Sequence, residues 1–236
     1  MNMNMPNVPA SSGGSKPFYQ IWIDALTKPS ENTYSEMASS PSASVGKAYL
    51  WVFLTSLVSY FIVAVIEILI TSLGFGGRGL GLSGLGGSLI GIICAVPFVA
   101  AIVGVVFLIG TAIIQWIASL FKGVGTFSQL AYVFSGISAP LTLVSSVLSI
   151  FYAIPFLGLC LWPLSILLFL YAVVLEIIGV KAVNKFGWGE AIGSVLLPAV
   201  VLGVVCGCVT IVSLMIMGPV IGNVFSSINQ SLQGVP

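Results

Sequence analysis

Residues 89–121 read LIGIICAVPFVAAIVGVVFLIGTAIIQWIASLF, an uncharged run of 33 residues. How this run is divided decides the fold. A helical crossing of a bilayer needs about 20 apolar residues. The run is longer than one crossing requires and too short for two crossings and a turn. Pro97 lies near its start, where a proline removes a backbone donor and can kink or break a helix. The run is therefore expected to be one long, tilted or kinked span, with a re-entrant segment as the alternative. Working outward on that basis, four further apolar stretches complete the set: 48–73, 127–152, 159–180 and 191–222. The last contains Pro198 and has Pro219 near its end. The expected fold is an all-α integral membrane protein, a five-span transmembrane helical bundle with a short amphipathic N-terminal helix.

Composition agrees. The chain is 58% hydrophobic and 6% charged over 236 residues, with a mean hydropathy of +1.17. Soluble domains carry roughly 25% charged residues, and so few charges cannot cover a water-exposed surface. A net charge of +1 gives no basic face for nucleic acid. Histidine is absent from the sequence, which removes the usual general base, the commonest metal ligand and the Ser-His or Cys-His nucleophile pair. No H-E-x-x-H or G-x-S-x-G signature occurs, so an enzyme is not expected, and no cofactor or metal is called for. The four cysteines, Cys94, Cys160, Cys206 and Cys208, all sit in apolar runs. Cys206 and Cys208 are two apart and so point about 200° apart on a helix, which prevents them from clasping one ion. Buried, inert thiols are expected.

Residues 1–16 are polar and rich in Gly, Ser and Pro, lack the layout of a signal peptide, and read as a disordered tail. Residues 17–47 read as a cytosolic amphipathic or interfacial segment. Phe18, Ile21, Trp22, Ala25 and Leu26 fall on one helical stripe, and Lys28-Pro29 should end that helix. It could pack on the membrane domain, lie in the lipid surface or dock a partner. Thr33-x-x-Glu36 is a weak capping box for a second short helix. The membrane domain is expected over 48–222, with turns at 122–125, at 153–158 around Pro155 and at 181–189, and a polar tail follows over 223–236.

Lysine and arginine in short loops orient such a bundle. With the N-terminus cytoplasmic, Lys16, Lys28, Lys47, Lys122, Lys181 and Lys185 lie inside and only Arg78 outside. Five spans then leave the C-terminus outside. The stretch 73–91, LGFGGRGLGLSGLGGSLIG, twice matches G-x-G-x-x-G. A dinucleotide site needs a preceding strand and an acidic residue about 20 positions on. A membrane span precedes this stretch, and no Asp or Glu occurs between Glu67 and Glu176, so a flexible hairpin between two spans is expected.

Glu67 and Glu176 are the carboxylates within spans, where a charge costs roughly 2.5–3.5 kcal/mol on insertion scales. With Gln115 they form the candidate intramembrane polar site, although the two glutamates lie toward opposite faces of the membrane. Glu176 could snorkel or meet Lys181 or Lys185. Each glutamate could be structural or functional. Gln115, Asn184 and the hydroxyls of Ser135, Ser138, Thr142, Ser145, Ser146 and Ser149 could supply interhelical hydrogen bonds. Small residues recur four apart at Gly87 and Gly91, Ala100 and Gly104, Gly189 and Gly193, Ala199, Gly203 and Gly207, and Gly218 and Gly222. This spacing permits close helix contact, within the bundle or in a homodimer.

Three segments are distinctive together: ALTKPSENTYSEMASSPSASVGKAYLWVFL (25–54), FSQLAYVFSGISAPLTLVSSVLS (127–149) and LEIIGVKAVNKFGWGEAIGSVLLP (175–198). They resemble prokaryotic members of the Yip family, the Ypt/Rab-interacting membrane proteins, over roughly residues 20–215. The resemblance implies five spans and a cytosolic N-terminus, in a prokaryotic cell membrane. Eukaryotic Yip proteins are linked to vesicle traffic and prenylated Rab-type GTPases. Their Asp-Leu-Tyr-Gly-Pro motif is replaced here by SASVGKAYLW, so Rab binding does not carry over. Pro140, Pro198 and LEIIGVKAV fit the family pattern best.

Two functions follow as expectations. The first is a non-enzymatic adaptor or organiser that meets the lipid bilayer, other membrane proteins or a second copy through a cytosolic face of Trp22, Lys28, Pro29, Lys122, Lys181, Lys185 and Trp188. The second is a small transporter or permease component using Glu67, with helices interrupted at Pro97 and Pro198.

Overall fold

The computed structural model describes residues 17–72, 82–152 and 155–233. Seven helices follow one another: α1 (Phe18–Thr27), α2 (Glu31–Ser39), α3 (Val45–Ser72), α4 (Leu82–Leu120), α5 (Phe127–Tyr152), α6 (Pro155–Asn184) and α7 (Trp188–Gln233). No strand occurs among the described residues. The five long helices contain stretches that are long and apolar enough to cross a membrane: Val45–Ile70, Ile90–Leu120, Phe127–Tyr152, Phe156–Asn184 and Trp188–Met215. The run at 89–121 is thus a single crossing, and α4 is continuous through Pro97. Its 39 residues extend about 58 Å at 1.5 Å per residue, well beyond a hydrocarbon core about 30 Å thick.

Consecutive long helices alternate in direction. One end of the bundle, here the proximal end, gathers the starts of α3, α5 and α7 and the ends of α4 and α6. Trp51 of α3 lies against Tyr132 of α5, ring centroids 4.9 Å apart, which sets these two parallel helices in register. A Cβ on Gly104 of α4 would fall 2.6 Å from the Tyr49 ring, so glycine is what lets α3 and α4 approach there.

The α1–α2 hairpin packs on the proximal half, against α5 and α6. Ser30 caps α2, its hydroxyl accepting from the Thr33 amide at 3.2 Å. Tyr34 closes the hairpin by donating to the Ala25 carbonyl at 2.8 Å. Ile21 and Met37 project toward Gly136 of α5, where a Cβ would meet the Met37 methyl at 2.6 Å. With Ala25, Tyr34, Leu130, Tyr132, Phe134, Ile137, Leu175 and Val180 they form one buried core. The core therefore lies in the proximal half. In an apolar 18-residue section of α5, 39% of the residues are buried inside the protein, against 6% in the corresponding section of α7.

Several expectations need correction. The α2 cap is Ser30, not Thr33, because Ser30 adopts the extended backbone a cap requires. Pro155 does not make a turn with Gly158; it opens α6, where a missing amide donor costs nothing. The loop expected at 181–189 shortens to 185–187, with Lys181 inside α6. Helix α4 begins at Leu82, so only 73–81 of the glycine-rich stretch could be a hairpin, and those residues lie outside the described ones, as do Arg78 and the tail over 1–16. Helix α7 continues to Gln233 through the segment expected as a polar tail, since a helix needs hydrogen bonds, not apolarity, to continue. The four cysteines face outward instead of being buried; a thiol is apolar enough for lipid contact. The hydroxyls of Ser135, Thr142, Ser146 and Ser149 bond back to carbonyls of α5 itself, not to other helices.

Candidate functional site at the proximal end

Two helix ends build this site. Helix α4 closes with the Lys122 amide donating to the Ser119 carbonyl at 3.0 Å and the Gly123 amide to the Ala118 carbonyl at 3.0 Å. This is the Schellman pattern, which places its terminating residue in the left-handed region. That residue is Lys122, at φ 64°. Helix α6 ends in the simpler αL motif at Lys185, whose amide donates to the Lys181 carbonyl at 2.8 Å and whose φ is 55°. Glycine usually occupies such positions, since a side chain there costs about 1–2 kcal/mol. Both ends thus present a lysine at a strained position.

Beneath them lies a buried amide knot. Gln115 Nε2 donates to the Gly125 carbonyl at 2.8 Å and to Asn184 Oδ1 at 3.0 Å. Asn184 Nδ2 donates in return to Gln115 Oε1 at 3.3 Å and to the Val180 carbonyl at 3.2 Å. Asn184 Oδ1 also accepts from the Gly125 amide at 3.2 Å. The knot ties α4, the α4–α5 turn and α6 together. Gly125 is obligatory here, because a Cβ would sit 2.6 Å from Val183 Cγ1 and 2.8 Å from the Val183 carbonyl.

Above the knot, α2, the end of α6 and the start of α7 enclose an open recess of about 470 Å³, lined by Glu31, Asn32, Ser35, Lys181, Lys185 and Trp188 among others. Lys181 pairs with Glu31 of α2 and places its ammonium 4.3 Å from the Trp188 ring centroid. Glu190 curls over Gly187 at the first turn of α7, its Oε2 2.5 Å from where a Cβ would stand. The hairpin is also held at the Tyr171 hydroxyl, which donates to the Leu26 carbonyl. Burial, followed by the neighbouring Tyr171 hydroxyl, pushes the Tyr34 phenol above its ordinary value.

Of the residues expected to form an interaction face, Lys181, Lys185 and Trp188 line one recess at the proximal end, and Lys122 lies at the same end outside that recess. Lys28 is exposed and pairs with Asp24 at 3.1 Å, and Pro29 lies in the turn between α1 and α2. Trp22 turns inward between Phe18 and Trp51, with ring centroids at 5.3 and 5.8 Å; the outward face of α1 carries Phe18, Tyr19 and Ile23 instead.

The three intramembrane polar groups are not brought together. Gln115 belongs to the knot. Glu67 lies 18 residues beyond Tyr49 on α3, while Gln115 lies 11 residues beyond Gly104 in the opposite direction on α4, a separation of roughly 40 Å along the bundle. Glu176 shares its helix face with Val180 and Val183, both buried, and is itself half-buried. Lys181 pairs with Glu31, not with Glu176. Sequence reading missed Glu31, Asn32 and Ser35 as lining residues; nothing local marks them, since Glu31 meets its lysine 150 positions away.

The Yip1 domain family model matches residues 23–227. The chain belongs to the Yip1 family. No curated protein and no solved structure matches it significantly. The Yip1 match opens inside α1, so the α1–α2 hairpin is part of the Yip1 domain and not an appendage to its five apolar helices. Among the described residues no group of three or more His, Cys, Asp or Glu could hold a metal ion.

Proposed function

We propose that this multi-pass Yip1-family membrane protein is a non-enzymatic adaptor or organiser, working through its proximal end in a prokaryotic cell membrane with that end cytoplasmic. The convergence of Lys181, Lys185 and Trp188 around an open recess, with Lys122 outside it at the same end of the bundle, carries this reading. Such a face offers charge and an aromatic ring at a membrane boundary, on helix ends tied by a buried hydrogen-bonded knot. The orientation is supported by the lysine distribution. Gently extracted full-length protein, measured by native mass spectrometry, should carry a stoichiometric membrane-protein partner. Replacing Lys185 by glutamate should release it. A protein that always runs alone, or a partner indifferent to this charge, would refute the adaptor role.

A transporter is the second reading. Glu67 and Glu176 motivate it, because an ionisable residue within a membrane span is a functional-site candidate by default. Gln115 supports it less, since both atoms of its amide group are already bonded within the knot. A proton-coupled flux in liposomes that Glu67→Gln or Glu176→Gln abolishes, with the fold intact, would favour it.

A further inference from the structure

We infer that the recess between α2, the end of α6 and the start of α7 binds the phosphate of an anionic phospholipid, with Lys185 and Lys181 as its cationic contacts and Glu31 as a resident competitor. This deepens the assignment of the proximal end as the interaction face, but needs no protein partner.

The position argues for a lipid. The recess lies where two crossing stretches meet, one ending at Asn184 and the next beginning at Trp188. Its ligand therefore sits at headgroup level. Trp188 is 51% exposed there, as expected of an aromatic ring at a membrane boundary. Basic pockets between spans are suited to anionic headgroups.

The chemistry points the same way. Lys181 is already engaged by the Glu31 carboxylate, so the site holds one anion of its own. That carboxylate is half exposed, at 51%, whereas Lys181 is 14% exposed; the anion, not the cation, is the displaceable member. Lys185 lines the same recess and makes no ion pair among the described residues. Asn32 and Ser35 add polar groups from α2. Glu190 is the other carboxylate nearby, and it is folded back over Gly187 at the rim. Lys185 holds its place at φ 55°, where glycine would end the helix without strain.

The left-handed lysines supply a matched test. Lys185→Gly removes the charge and relieves the backbone. Lys122→Gly makes the same change at a position outside the recess. Full-length protein in detergent would be titrated with phosphatidylglycerol, with phosphatidylcholine and with inorganic phosphate, and bound ligands counted by native mass spectrometry. Thermal midpoints would be followed in parallel.

The wild-type protein should retain phosphatidylglycerol in preference to phosphatidylcholine. Lys185→Gly should weaken that retention about fivefold without lowering the thermal midpoint. Glu31→Gln should strengthen it, and Lys122→Gly should leave it within twofold, on the order of measurement scatter. Equal loss in both lysine variants would reduce the effect to general surface charge and overturn the site. Weaker or unchanged retention in Glu31→Gln would overturn the competitor role. Equal binding of inorganic phosphate would overturn the lipid assignment. Lipid retention with no protein partner would refute the adaptor and leave the lipid site standing, and the reverse result would do the opposite.

Discussion

Gly125 at the proximal end is enclosed by Val183 and Asn184, whereas Gly203 and Gly207 of α7 have nothing within 4 Å of where a Cβ would stand. Gly203 and Gly207 follow the four-residue spacing that membrane helices use for close contact, yet they make none within the chain, whereas Gly125, in the α4–α5 turn, does. The rest of the two regions differs in the same way. Proximally, α5 is buried between α1, α2, α3 and α6, and an amide knot and a tyrosine hydroxyl secure the helix ends. Further along, α7 turns Val200, Val204, Ile211 and Leu214 outward. Lipid tails are as apolar as leucine, so burial by itself gives helices no reason to associate in a membrane. What fixes the proximal end is hydrogen bonding and close steric fit.

That contrast can be broken by substitution. Gly125→Val should be the most damaging change, on the order of 3 kcal/mol, because its side chain would collide with the Val183 backbone as well as its side chain. Loss of folded protein in a thermal scan in detergent would show it. Asn184→Leu should cost about 2–3 kcal/mol, since it strands Gln115 and the Gly125 amide without partners. Tyr34→Phe should cost about 1 kcal/mol and speed proteolysis within 28–39 by loosening the hairpin. Because burial raises the Tyr34 pKa, the folded hairpin keeps the phenolic proton while the unfolded chain loses it above about pH 10. That contribution is complete below pH 10 and declines as the pH rises further, which hydrogen exchange across α2 would detect. Gly207→Val should change stability by no more than about 0.5 kcal/mol. A large effect there would mean that α7 packs closely on something, and a small effect at Gly125 would remove the contrast.

The five crossings were legible because removing a backbone from water is a local matter, so each apolar stretch declares itself. Helix ends were less legible. Hydropathy marks where the bilayer stops, while α6 runs on through Lys181 and α7 through the polar residues to Gln233. The cysteines show a second limit: an apolar position in a membrane protein can face lipid or the protein interior, and composition does not separate them. At the site, Gln115, Asn184 and the lysines stood out as polar groups in an apolar chain. Their partners did not, since Gln115 meets Asn184 across 69 positions and Lys181 meets Glu31 across 150. The left-handed backbone at Lys122 and Lys185 was also hidden, because lysine carries no signal for it.

The most direct test of the proximal end as the working face is photo-crosslinking in the native membrane. A photoreactive residue would replace Lys185 in one variant and Leu214, which faces outward on α7, in another. A single stoichiometric protein partner captured from position 185 and not from 214 is the expected result. The same partner captured from 214 alone, or none from 185 while the protein remains folded, would contradict the account.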